Sequence, residues 1–311
     1  MATVVITGGT GLIGKALTNA LLKKNYEVIA LTRKIPGGKN AITTPGVSYA
    51  HWNIKEKIID ADTISKADYI VHLAGANLSE KRWTNKRKQE IISSRVDSGK
   101  LIAESLASIS NNVKAIISSS GIGYYGADNE KTFSSGGFAE TDLPADDFLG
   151  QTGKLWEESI QAVMNLGKRL VIFRAGPVLS NAGGYLAEFK KYLRFGLATI
   201  IGNGKQIVSW IHLDDIVRMY IEAIENKKIS GVYNAVAPNP VSNKEFVLKL
   251  GKIQRRNFFV PVYVPSFVLK IVLGEMSIEA LKSSRVSCSK IIHAEFEFKF
   301  PTLTSALKDL K

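Results

Sequence analysis

The stretch Thr3-Val4-Val5-Ile6-Thr7-Gly8-Gly9-Thr10-Gly11-Leu12-Ile13-Gly14 decides the fold. Its first five residues are β-branched and apolar enough to form a buried strand. The next residues hold glycines at the spacing G-x-x-G-x-x-G, at Gly8, Gly11 and Gly14. Leu12, Ala16, Leu17, Ala20 and Leu21 then recur at helical spacing up to Lys24. A strand, a glycine-rich turn and a helix in that order form a phosphate cradle. The turn lets backbone N–H groups reach a pyrophosphate, and the helix N-terminus adds partial positive charge. The third glycine lets the helix pack close to the strand.

Outward from this unit, further β-rich runs alternate with helical stretches. Strands are expected over Glu27–Thr32, Tyr69–Leu73, Ala115–Ser119 and Leu170–Arg174, the last after a helix around Trp156. Such alternation predicts right-handed crossovers and an α/β fold with a doubly wound parallel Rossmann sheet. After Gly176 the glycines at 183, 184, 196, 202 and 204 mark a loop-rich region. Helices are expected over Ile211–Ile224, starting at Asp214-Asp215, and over Ser242–Lys252, with Ser242 and Glu245 as a capping box. Asn239-Pro240 suggests a boundary, giving a nucleotide-binding domain over 1–236 and a small C-terminal cap over 237–311. The aromatic and aliphatic tail from Phe258 is expected to pack on the sheet domain.

Composition narrows the function. Over 311 residues, 45% hydrophobic and 22% charged content is ordinary for a globular chain. A lone cysteine, Cys288, excludes a disulfide framework and a zinc site built on cysteines. No basic segment followed by an apolar one opens the chain, and the apolar run Phe258–Leu273 is broken by Pro261, Pro265 and Lys270. A cytoplasmic setting without a membrane role is the simplest expectation. The net charge of +13 suits an anionic cofactor or substrate, or nucleic acid. The densest basic run, Lys81-Arg82-Trp83-Thr84-Asn85-Lys86-Arg87-Lys88, has one aromatic residue where single-strand binders interleave several. A solvated helix start accounts for it equally well, so nucleic-acid binding is not expected.

The residues after the second strand select the cofactor. An acid there would bind the ribose 2′-OH of NAD. This chain has Thr32-Arg33-Lys34, with no Asp or Glu. A guanidinium binds a 2′-phosphate that a carboxylate would repel, so NADP(H) is the expected cofactor.

At this point the sequence resembles the extended short-chain dehydrogenase/reductases, the NAD-dependent epimerase/dehydratase family. It is most similar to an atypical branch, the epimerase family proteins, with a C-terminal domain of unknown function. The resemblance runs nearly end to end through T-G-G-T-G-L-I-G (7–14), H-L-A-G-A (72–76), R-W-T-N-K-R-K-Q-E-I-I-S-S-R-V (82–96), S-S-S-G-I-G-Y-Y-G (118–126), R-A-G-P-V-L (174–179), S-W-I-H-L-D-D (209–215) and L-G-E-M (273–276). It implies cofactor contacts at Gly8, Thr10, Gly11, Leu12, Ile13, Gly14, Thr32, Arg33, Leu73, Ala74, Glu90, Arg95 and Val178. Dimers are common in the superfamily, so the resemblance allows a homodimer, but the sequence itself does not give the oligomeric state.

Redox members of that superfamily use a Ser, a Tyr and a Lys, the last two one helical turn apart. Counting back from Glu157 puts Leu149 at the Tyr position and Gly153 at the Lys position; counting from Glu158 gives Gly150 and Lys154. The dyad is absent in either register. Ser120, Tyr124 and Tyr125 are the remaining catalytic candidates, with no lysine placed by sequence to lower a tyrosine pKa. The two tyrosines equally suit shaping a substrate pocket. His212 is a weaker acid–base candidate; His51, His72 and His293 read as structural, and no metal set is evident. Two functional classes remain: an NADP(H)-dependent oxidoreductase of a small substrate, or a catalytically silent NADP(H)-sensing protein.

Overall fold

The computed structural model describes residues 1–33, 35 and 45–311. Strand β1 (Thr3–Thr7) is followed by helix α1 (Leu12–Lys23), β2 (Glu27–Thr32), β3 (Val47–Asn53), the short β4 (Ile58–Ile59) and α2 (Ala61–Lys66). Next come β5 (Tyr69–His72), α3 (Asn85–Ser108), β6 (Ala115–Gly121), α4 (Glu130–Ser135), α5 (Phe148–Ile160) and β7 (Arg169–Ala175). An edge strand, Gly231–Ala235, completes an eight-stranded sheet in the order edge strand–β7–β6–β5–β1–β2–β3–β4. Every pairing is parallel except β3 with β4. The doubly wound parallel sheet expected from the sequence is therefore present. Strand order reverses between β1 and β5, and ligands of open α/β sheets bind at such a point, beyond the strands' C-terminal ends.

Strand alternation divides the core. Val4 and Ile6 face a cluster with Leu17 and Leu21 of α1 and with Ile216 and Tyr220 of the helix Leu213–Glu225. Val5 faces the opposite cluster, with Ile64 of α2, Leu101 and Ile102 of α3 and Ile160 of α5. The strand is buried on both faces, so it reads as a continuous apolar run.

Segments on both sides of residue 236 share a further core. Leu179, Leu186, Phe189 and Trp210 share a third core with Phe246, Leu250, Leu303 and Leu307. The chain leaves the sheet near 178, returns for the helix Leu213–Glu225 and the edge strand, and leaves again. Both excursions bury the same apolar surface. Asp214-Asp215 also does not cap its helix. His212 does, its Nδ1 accepting from the Asp214 N–H at 3.1 Å. Asp215, fully buried, instead accepts from the backbone N–H groups of Lys299 at 2.7 Å and Phe300 at 2.9 Å, pinning the C-terminal segment. Ser242 caps its helix as expected, accepting from the Glu245 N–H at 3.1 Å.

The tail packs only in part. Val286, Cys288, Ile291 and Phe296 join the core beside the sheet, whereas Phe258, Val260, Phe267, Ile271 and Val272 are exposed. Among the described residues, strand Val260–Val264 pairs with Leu197–Ile201 alone. Among the described residues, no helix is long and apolar enough to cross a membrane.

Candidate cofactor and active site

The glycine-rich turn lies at the switch point. Gly11 N–H donates to Gly8 O at 2.9 Å, and Lys15 N–H to Gly11 O at 3.0 Å. A Cβ on Gly14 would sit 2.3 Å from Gly8 O, and one on Gly8, at φ +69°, would sit 2.8 Å from Leu73 O. Side chains are excluded there, so the backbone closes into a shallow cradle against β5. Gly11 begins α1 with no side-chain cap and no acid in the first turn. Those N–H groups are left for an anion, and the turn fits the pyrophosphate of a dinucleotide.

Thr7 ties the cradle to β5. Its Oγ1 accepts from the N–H groups of Leu73 at 3.1 Å and Ala74 at 3.2 Å, and lies 3.1 Å from His72 Nδ1. Since Thr7 has one proton to give, His72 Nδ1 accepts it and Nε2–H donates to Ser98 Oγ at 3.2 Å. Burial holds the His72 imidazole down to about 4, so it is neutral and structural.

Arg33 is exposed at the end of β2, while Lys34 falls outside the described residues. Glu90 is also exposed. Its carboxylate is taken by Arg87 at 2.7 Å, which holds it below the usual carboxylate range, with a smaller pull from Arg33. Arg95 is buried beneath Gly75, donating to Ala76 O at 3.1 Å and Ile91 O at 3.0 Å, and its guanidinium lies 4.9 Å from the Trp156 ring. Burial and then Arg87 pull it down to about 10. Glu90 and Arg95 thus do not bridge each other, and Arg95 supports the Gly75-Ala76 turn from below. On the far side, Gly184 brings the segment after Val178 against Leu12, since a Cβ there would lie 3.2 Å from the Leu12 side chain and 3.4 Å from Val178 O. The glycine turn thus lies against Leu73 and Ala74 on one side, and Leu12 and Val178 meet around Gly184 on the other.

The basic run opens helix α3 as a solvated start at Lys81 and Lys86, which are exposed, while its other cations are tied to protein partners. Arg87 is buried and binds Asn77 O, Glu80 and Glu90. Arg82 donates to the carbonyls of Ile271 and Val272, and Lys88 pairs with Glu275 at 2.7 Å. Trp83 is buried against Phe148, its Nε1–H donating to Leu78 O at 2.9 Å. The sequence shows the charges but not the partners that absorb them.

At the ends of β6 and β7 two of the three catalytic candidates, Ser120 and Tyr125, are bound into a buried polar network. Ser120 donates to Glu157 Oε1 at 2.7 Å. Arg174 clamps Glu157 through Nε and Nη2, both at 2.7 Å. Its Nη1 donates to Tyr125 Oη at 2.8 Å, and Tyr125 donates to Asn234 Oδ1 at 2.7 Å. Ser120 and Tyr125 are both buried with their protons committed. Burial drives the Tyr125 phenol well above its ordinary value. Burial opposes the Arg174 charge too, but the Glu157 contacts more than reverse that and hold it protonated.

Tyr124 differs. It is half-buried, and the Arg174 guanidinium stacks 3.5 Å from its ring centre. Sequence reading looked for a lysine here and missed the arginine, although a charge ending the apolar strand Leu-Val-Ile-Phe-Arg is a signal for a buried partner. Burial raises the Tyr124 phenol while Arg174 pulls it down. On α5, Lys154 is exposed and lies 3.9 Å from Glu158. His212, 3.4 Å from Asp309 and packed at a tilt against Phe300, serves the C-terminal core. Among the described residues no cluster fits a metal ion.

These features define a Rossmann-type nucleotide-binding protein. The NAD dependent epimerase/dehydratase family matches residues 4–144, and a domain of unknown function, DUF1731, matches residues 264–310. An epimerase family protein of Staphylococcus saprophyticus is 34% identical over 313 residues, covering 100% of this chain and 99% of its own. YfhF of Bacillus subtilis, also an epimerase family protein, is 34% identical over 99% of this chain and 97% of its own. The crystal structure of human epimerase family protein SDR39U1 with NADPH matches with a TM-score of 0.84 at 29% identity, over 99% of this chain and 98% of that one. This chain belongs to the NAD-dependent epimerase/dehydratase family, with the DUF1731 domain at its C-terminal end.

Proposed function

We propose that the protein is an atypical, NADP(H)-dependent oxidoreductase of its family, acting on a small molecule in the crevice beyond β6 and β7. The observation that carries the reading is Arg33, an exposed cation ending the strand where an NAD-specific site would hold an acid. The human relative solved with NADPH supports the same choice. In this reading Gly8, Thr10, Gly11, Leu12, Ile13 and Gly14 hold the pyrophosphate, and Thr32 and Arg33 hold the 2′-phosphate. Leu73 and Ala74 line the adenosine side, Val178 borders the nicotinamide, and Glu90 and Arg95 shape the wall between them. When bound, the cofactor supplies hydride chemistry.

The chain's own contribution is a proton. Tyr124 is the one of the three catalytic candidates whose hydroxyl has no protein acceptor among the described residues. Ser120 and Tyr125 support it through Glu157 and Arg174. A tyrosine raised by burial keeps its proton at neutral pH, which suits donation during reduction better than abstraction during oxidation. A slow reductase is expected. We infer a cytoplasmic setting, consistent with one buried thiol pushed up to about 11, and a homodimer as the assembly.

The test is to supply NADPH with pooled small carbonyl compounds and follow loss of reduced-nicotinamide absorbance, with Tyr124→Phe as control. Turnover lost in Tyr124→Phe supports an enzyme. Tight NADPH binding without turnover on any pool would favour the silent sensing protein instead.

A further inference from the structure

The usual dyad positions on α5 are occupied by a steric interlock. A Cβ on Gly153 would lie 3.3 Å from Tyr124 Cδ2 and 3.4 Å from Tyr124 Cβ, so the missing side chain makes room for the ring. Reciprocally, a Cβ on Gly123 would lie 3.0 Å from Leu149 Cδ1. Leu149 fills the space over Gly123, and Tyr124 fills the space over Gly153. The short 3₁₀ turn Ile122–Tyr125 is thereby docked on α5, with a tyrosine where the helix would otherwise present a lysine.

We propose that Tyr124 and Arg174 form a relocated tyrosine–cation pair, in which Arg174, held flat by Glu157, stabilises the Tyr124 phenolate left when Tyr124 Oη gives its proton to a substrate oxygen. Arg174 is a positioning residue here, acting through Tyr124. The proposal rests on the functional reading above for the existence of that substrate.

The geometry separates the two roles of the guanidinium. Its edge is spent on Glu157, Tyr125 and the Glu140 carbonyl, at 2.7 to 3.2 Å. Its face remains for the Tyr124 ring at 3.5 Å. A cation over a phenol face attracts the ring, and attracts it more once the ring carries a full negative charge. The charged groups acting on Tyr124 are Arg174 from β7 and Glu157 and Glu158 from α5. Glu157 is the nearer opposing charge, and it shares its charge with Ser120 and two guanidinium nitrogens. In the step, the Oη–H bond breaks and an O–H bond forms on the substrate. The electron pair stays on Oη, and solvent water then returns a proton. Arginine does not deprotonate in proteins, so Arg174 cannot relay that proton as a lysine can.

The test reads Tyr124 directly in the cofactor-free chain. Fluorinated tyrosine is incorporated, the Tyr124 fluorine resonance is assigned by its loss in Tyr124→Phe, and its ionisation is followed against pH. Glu157→Gln should lower the Tyr124 midpoint by about one pH unit, a tenfold change in ionisation constant. Arg174→Met combined with Glu157→Met, which replaces the buried pair rather than breaking it, should raise it by a similar amount. Shifts of opposite sign are expected, and a merely structural pair would not produce them. Midpoints that stay put, or move the same way, overturn the proposal; if the double variant does not fold, the sign for Glu157→Gln decides. NADPH titration of the same wild-type sample separates the two readings. Opposite shifts without NADPH binding would sink the functional reading and leave the pair, whereas binding without shifts would do the reverse.

Discussion

Gly14→Ala tests the phosphate cradle. The new methyl carbon would stand 2.3 Å from Gly8 O and 2.7 Å from Gly9 Cα. Carbon and carbonyl oxygen normally keep about 3.4 Å, so the turn must retreat by roughly 1 Å. It has nowhere to go. Gly8 already backs onto Leu73 O and Ala74 N, and Gly9 onto Ala30 Cβ. Retreat would also break the Gly11 to Gly8 hydrogen bond that shapes the cradle. Overpacking of this kind costs about 1–3 kcal/mol, and the rigid surroundings argue for the upper end. At roughly 2 °C per kcal/mol for a chain of this size, the melting temperature should fall by ~4–6 °C. NADPH affinity should fall at least about tenfold, since the displaced N–H groups no longer converge. Thermal melts and calorimetric titration measure both. A variant that melts within a degree of wild type and binds NADPH equally would refute the cradle.

Three further outcomes follow from the same geometry. His72 titrates near 6.5 when unfolded and about 4 when folded, so stability holds above 6.5 and is lost as pH falls from there towards 4, at up to about 1.4 kcal/mol per pH unit. His72→Gln should flatten that part of a pH series of urea midpoints. Asp215→Ala removes the acceptor for two backbone N–H groups in a fully buried place, and should cost about 3 kcal/mol with faster amide exchange over residues 299–310; unchanged exchange there would contradict the clamp. Lys154→Ala should leave turnover, NADPH affinity and melting within error, because the side chain is exposed and only loosely paired with Glu158. Loss of activity in Lys154→Ala with affinity and melting preserved would mean that the lysine takes part after all.

The sheet was legible because its strands carry their own signal. Thr3–Thr7 is buried on both faces and its glycine turn follows at once, so one short stretch specifies both the strand and the cradle. Val47–Asn53 and Gly231–Ala235 were not recognised, since the first is mostly half-buried and the second is a short edge strand opened by an exposed glycine, so their apolar patterns are weaker. The third core was not legible, because Leu179–Trp210 and Ala237–Leu310 meet only in space. At the site, the gap left by Gly153 was readable, but what fills it was not. Tyr124 reaches it across 29 residues of sequence, and Arg174 arrives from a different strand. Buried networks of this sort depend on long-range partners, which local spacing does not encode.

The measurement that bears most directly on the account is calorimetric titration of NADPH and NADH against wild type and Arg33→Ala. A charge-assisted contact to the 2′-phosphate contributes about 1.5–3 kcal/mol, which is roughly a tenfold to hundredfold preference for NADPH. The account predicts that preference in wild type and its collapse in Arg33→Ala, with NADH affinity unchanged. Equal affinity for the two nucleotides in wild type, or a preference that survives the loss of Arg33, would contradict it.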